Sequence, residues 1–225
     1  MEEILTSEAT YASSLALVVQ HLRYPLLEWS LTQKGVAKKR EESVRAIFGN
    51  IGELAALHDS FLQRLKQRVS NWEKESKIAD LFINLVPRLE MYNVYGNNYC
   101  DATDTLEEME ELKQFRDKLR QCMVEAQAAG TQLTELRSYL ILPIQRLYRY
   151  ILLLQSLHDH MGDTNAAEKE KILHAVQLLS VAGANLDKAC DDARKRKRFQ
   201  NTSSLMSVVE PYHNLSPKSF IVDQV

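Results

Sequence analysis

Apolar residues recur at spacings of three and four through almost the whole chain, and no stretch alternates with period two for long enough to make a strand. Such a pattern selects helices, each with one apolar stripe that has to be buried against another helix. Gly and Pro number only 7 and 5 in 225 residues, so the helices are expected to be long and the connections few. Six stripes are read. The first runs Ile4, Tyr11, Leu15, Val18, Leu22, Leu26, and the second Val44, Ile47, Ile51, Leu54, His58, Phe61, Leu65. The third runs Ile78, Phe82, Leu85, Leu89, Tyr92, Tyr99, with a bend expected at Pro87. The fourth reads Leu106, Met109, Leu112, Phe115, Leu119, Met123. The fifth and most apolar reads Leu133, Leu136, Leu140, Ile144, Leu147, Ile151, Leu154. After a turn at Gly162-Asp163-Thr164-Asn165 comes the sixth, with Ile172, Val176, Leu179, Ala182, Leu186 and Cys190 inward. The fold class is therefore all-α, a bundle of about six long helices. From Asn201 the periodicity stops, which divides the chain into a domain over 1–200 and a tail or linker over 201–225.

Several function classes drop out. There is no Gly-rich phosphate loop, no HExxH, no nucleophile elbow and no Cys-x-x-Cys pair, so covalent chemistry has no constellation to use and no cofactor or metal is called for. A bundle-core metal enzyme would need Glu-x-x-His repeats that are missing. The net charge of −2 gives no general attraction to nucleic acid, which is not expected as a partner. No apolar run reaches the length of a membrane span, and no signal peptide is evident. Cys100, Cys122 and Cys190 are odd in number and far apart, which fits neither a disulfide framework nor a zinc site and favours a reducing, cytoplasmic setting. Among the histidines, His58 falls on an apolar stripe and reads as a packed core residue, while His158 and His160 suit a helix end.

A few residues break the pattern. Glu8 occupies a slot in the first apolar stripe, and a buried carboxylate without a partner is costly. Either it belongs to a frayed, acid-favouring first turn, or this part of the stripe is covered by another protein that supplies the donors. Pro143 lies inside the fifth stripe, where it removes the bond to the Tyr139 carbonyl and should kink the helix. Just beyond it, Ile141, Gln145 and Arg149 share one face, with Arg146 adjacent. On so apolar a helix, an isoleucine with a glutamine and arginines suggests an interface, although a plain solvated face is the usual fate of such residues. Asn185 stands among small and apolar residues of the last helix, where its amide could clamp another chain's backbone. The run Arg194-Lys195-Arg196-Lys197-Arg198 suits either an anionic membrane surface or, more ordinarily, a solvated helix end.

Together these segments resemble the Dbl homology domain, the exchange domain of Rho-family guanine-nucleotide exchange factors. EILTSEATYASSL near the start is similar to the family pattern E-h-x-x-T-E-x-x-Y-x-x-x-L, with h apolar. AIFGNIGELAALHDSFLQRL, over Ala46 to Leu65, is similar to the second region. SYLILPIQRLYRYILLLQSL, over Ser138 to Leu157, is similar to the third, which reads close to L-h-x-P-h-Q-R-h-x-[KR]-Y-P-L-L-L. Ile151 departs from the usual Pro of that region. The resemblance covers about Met1 to Arg198 and implies an elongated helical bundle.

It also implies a function: binding the switch regions of a Rho/Rac-type small GTPase, driving out GDP and stabilising the nucleotide-free state, without a cofactor. The partner would be Rho, Rac or a close relative, met in the cytoplasm or at the inner face of the plasma membrane. On this resemblance Glu8 corresponds to the first-region glutamate facing switch I, and Arg149 and Asn185 correspond to residues facing switch II. Gln145 shares their face, and Ile141 occupies a position that helps choose among GTPases. A pleckstrin homology domain, which usually follows directly, is not expected within a chain ending at Val225. The rival reading is a helical scaffold in which these residues are incidental.

Overall fold

The computed structural model describes residues 1–71, 77–131, 133–162 and 165–213, with side chains through Gln200. Among these residues every regular element is helical and no strand occurs. The order is α1 (Glu2–Val18), a π-turn (Val19–Arg23), α2 (Tyr24–Leu31), α3 (Ala37–Phe48), α4 (Ile51–Ser70), α5 (Ala79–Leu85), a 3-10 turn (Val86–Glu90), α6 (Met91–Glu110), α7 (Lys113–Ala128), α8 (Leu136–Leu140), α9 (Leu142–His160) and α10 (Ala166–His213).

Each stripe lies inward as its spacing dictates, but several are cut into two helices for local reasons. Pro25 has no N–H to offer, and the chain absorbs this in the π-turn, where the Tyr24 amide bonds back to the Val19 carbonyl. The second stripe breaks at Gly49, whose φ of +49° ends α3. Asn98 Nδ2 fills the space a Cβ would need there and donates to the Ala46 carbonyl at 2.7 Å. Pro87 bends the third stripe as expected, through the 3-10 turn. The fourth is interrupted by extended backbone at Leu112. Pro143 sits in the first turn of α9, and the break before it leaves the Leu140 carbonyl to accept from the Tyr95 hydroxyl at 2.7 Å.

Helix α10 does not stop near residue 200 but continues to His213, roughly 70 Å of helix at about 1.5 Å per residue. Loss of apolar periodicity removed the reason for a packed face, not the backbone's helical geometry. The remainder of the tail, 214–225, lies outside the described residues, as do Asp163 and Thr164 of the expected turn.

Packing brings the first and last thirds of the chain together. Helix α1 lies against α4, α8 and α9, and α10 lies along α9, α6 and α5. The start of α10 is fixed by Glu168, whose Oε1 accepts from the Ile78 and Ala79 amides at 2.7 and 2.8 Å and so caps the start of α5.

Candidate functional site: the α1–α9 face

Glu8 is fully buried, and the protein itself supplies all its partners. His58 Nδ1 lies 2.8 Å from Oε1, the Tyr150 hydroxyl donates to Oε2 at 2.5 Å, and Arg146 Nη2 pairs with the same oxygen. Arg146 Nη1 also donates to Ser7 Oγ at 2.9 Å, and its guanidinium is held between the rings of Tyr11 and Tyr150, 4.7 and 4.3 Å from their centres. On the far side of His58, Nε2 is 2.6 Å from the Tyr92 hydroxyl, which is 3.0 Å from that of Tyr11. A neutral His58 satisfies the whole chain of bonds: Tyr11 donates to Tyr92, Tyr92 to Nε2, and Nδ1–H to Glu8. Burial alone would raise the Glu8 pKa, but the hydrogen bond from His58 and the charge of Arg146 outweigh it and hold it below the ordinary 4.5. Burial likewise pushes the Tyr11, Tyr92 and Tyr150 phenols well up, so all stay protonated.

This geometry overturns both sequence readings of Glu8. It is neither a frayed-turn acid nor a group awaiting an outside donor, because α4 and α9 cover it completely. A sequence stripe shows which side of a helix a residue occupies, but not the His and Arg that reach it from elements 50 and 138 positions away. Arg146, expected beside the interface residues, is only 5% exposed and belongs to this buried network. His58 is the core residue its stripe implied.

The exposed acids of α1 are Glu2 and Glu3, and Glu3 is the one paired with α9. Its Oε1 accepts from Arg149 Nη2 at 3.0 Å, with side chains 67% and 49% exposed. Five residues from Glu8 on a helix is about 140° of rotation, which carries Glu3 off the buried stripe. The first-region pattern contains both glutamates, and that was the available signal. Between α1 and α9 runs an open groove of about 390 Å³, lined by Thr10, Ser14, Leu142, Gln145, Arg149 and Leu152 among others. Gln145 and Arg149 thus stand together on this face. Ile141 is half-buried at the α8–α9 break, one turn before Gln145, whose amide bonds to its carbonyl at 3.3 Å.

Asn185 is exposed but stands elsewhere. It lines a groove with Val86, Pro87, Glu90 and Asn93, on the α5–α6 side of α10. Gly183 and Asp187 are among the α10 residues that meet α9: the Tyr148 ring lies over Gly183, and its hydroxyl donates to the Asp187 carboxylate. Asn185 is about 200° of helix rotation from Gly183. The polar side chain that α10 brings to the α9 face is therefore Asp187, and the Tyr148 phenol is pushed up to about 12 by partial burial and that carboxylate.

The basic run is drawn onto α6. Arg196 donates to Asn97 at 3.0 Å, Lys197 bridges Asp101 and Asp104, and Arg194 pairs with Asp191. A lipid surface would have to compete with these acids for the cations. No metal-binding cluster of His, Cys, Asp or Glu occurs among the described residues, and no described helix is long and apolar enough to cross a membrane.

Comparison with known proteins decides the family. Residues 1–187 match the family described as "RhoGEF domain". The chain belongs to the RhoGEF family. It is 31% identical over 183 residues to "Guanine exchange factor for Rac 30" of Dictyostelium discoideum, covering 81% of this chain and 10% of that protein. It is 30% identical over 202 residues to "Rho guanine nucleotide exchange factor 6" of Homo sapiens, covering 89% of this chain and 24% of that one. Such RhoGEF relatives are thus several times longer than the region they share with this chain. Among solved structures, the Vav1 exchange factor with its PH and C1 domains superposes with a TM-score of 0.74 at 27% identity, over 89% of this chain and 51% of that one. The DH/PH portion of p115-RhoGEF, 20% identical with a TM-score of 0.76 over 90% of this chain and 57% of that one, shares the fold. The RhoGEF assignment agrees with the all-α bundle and the order of the three sequence regions.

Proposed function

We propose that this RhoGEF chain accelerates GDP release from a Rho/Rac-type GTPase, with the face built by α1 and α9 as its docking surface. The observation that carries the reading is the exposed Glu3–Arg149 pair, joining α1 to α9 beside an open groove. Both side chains are poised to exchange their mutual contact for contacts with a partner, at small cost because a solvent-exposed pair is worth little. Glu3, not Glu8, takes the first-region role toward switch I, and Arg149 faces switch II, with Gln145 and Ile141 on adjacent turns.

No bond is made or broken in the protein. Binding that is tighter to the nucleotide-free GTPase than to the GDP-bound form shifts the equilibrium toward release, in proportion to that difference in affinity. Reloading follows with GTP, the more abundant nucleotide. Asn185 has no part in this surface.

The test is release of a fluorescent GDP analogue from Rho, Rac and related GTPases against excess GTP. Acceleration of at least one by the wild-type chain is expected. Arg149→Glu should lower the rate at least tenfold, a loss of about 1.4 kcal/mol or more of transition-state stabilisation, with the melting temperature unchanged. The proposal fails if no Rho-family GTPase responds to the wild-type chain.

A further inference from the structure

Helices α6 and α10 approach closely at one point. A Cβ placed on Gly96 would lie 2.6 Å from Leu186 Cδ1, 3.0 Å from Cys190 Sγ and 3.3 Å from the Leu186 carbonyl oxygen, so any side chain there would force its neighbours to shift. The two helices run in the same direction there. Gly96 faces Leu186 and Cys190, Asn97 meets Arg196, and Asp101 and Asp104 meet Lys197. Cys100 is one turn beyond Gly96, and Cys190 is one turn beyond Leu186. Cys190 Sγ thus lies at the closest approach itself, and Cys100 stands one turn, about 6 Å, further along α6 on the same face. Side chains on a helix tilt back toward its N-terminus, which brings Cys100 Sγ back toward the level of Gly96, where Cys190 Sγ lies.

We infer that Cys100 and Cys190 form a disulfide-competent pair, a site of reversible oxidation that clamps α10 to α6. Both thiols are free and partly exposed, whereas Cys122 is buried on α7. Oxidation by a peroxide takes two protons and two electrons from the pair. One sulfur is first converted to a sulfenic acid with release of one water, and attack by the second thiol forms the S–S bond and releases another. Burial, and then the neighbouring Cys100, push the Cys190 thiol up, so the rate should rise with pH as thiolate forms. The bond would close a loop between positions 90 apart in sequence, and the melting temperature should rise.

The full chain is treated with dilute hydrogen peroxide, alkylated under denaturing conditions and mapped by mass spectrometry without reductant. A linked peptide pair containing Cys100 and Cys190 is expected, with Cys122 alkylated, reversal by dithiothreitol and a higher melting temperature than the reduced chain. Cys190→Ser should abolish the linkage and the shift while leaving the reduced chain's melting temperature unchanged. Recovery of Cys100 and Cys190 both alkylated, as separate oxidised acids, or linked only between molecules would overturn the inference.

Discussion

Replacing Glu8 with alanine should unfold this protein more readily rather than silence it at its surface. The substitution leaves the Arg146 guanidinium, 5% exposed, without its carboxylate, and the His58 N–H and Tyr150 hydroxyl without an acceptor. Removing one partner of a buried ion pair costs about 3–5 kcal/mol, because the remaining charge keeps its desolvation penalty and loses its compensation. For a chain of this size roughly 2–4 °C of melting temperature follows each kcal/mol, so Glu8→Ala should melt about 6–20 °C lower. The double variant Glu8→Ala with Arg146→Met should cost clearly less than the sum of the singles, since neither charge is then stranded. Thermal and urea unfolding followed by circular dichroism measure both, with GDP release assayed on the same samples. A Glu8→Ala protein that melts within about 2 °C of wild type yet loses exchange would refute the buried-network argument and return Glu8 to the interface.

Glu8 also sets a pH signature. Its folded pKa lies below 4.5, so the unfolded chain takes up the extra proton; the stabilisation is complete above 4.5 and is lost as pH falls below it. Urea midpoints of wild type should drop on acidification through that range, and those of Glu8→Ala should fall less steeply. Asn185→Ala should leave exchange within about twofold of wild type, whereas Asp187→Ala, which frees Tyr148, should lower it more, and equal effects would contradict the placement on α10. Gly96→Ala should cost about 1–3 kcal/mol by urea titration, because the new methyl meets the Leu186 carbonyl and Cys190 as well as a mobile leucine methyl.

The sequence by itself determined the helices, their inward faces and the family. A spacing of three and four is a local property, readable wherever it occurs, and the prolines at 87 and 143 announced their bends for equally local reasons. Even so, Gly49 and Leu112 ended helices inside stripes that read as continuous, since a break in backbone geometry need not interrupt the apolar pattern. Glu8 looked like an intruder because its partners, His58, Arg146 and Tyr150, come from α4 and α9. Only packing turned it into the centre of a core network and left Glu3 as the acid that reaches Arg149. In the same way Asn185 and Asp187 are two residues apart in the chain but face different neighbours across α10. Cys190, far from Gly96 in the chain, lies against it because α6 and α10 approach closely there. Periodicity states which way a side chain points on its own helix; which charge, hydroxyl or thiol it meets is set by the helix laid against it.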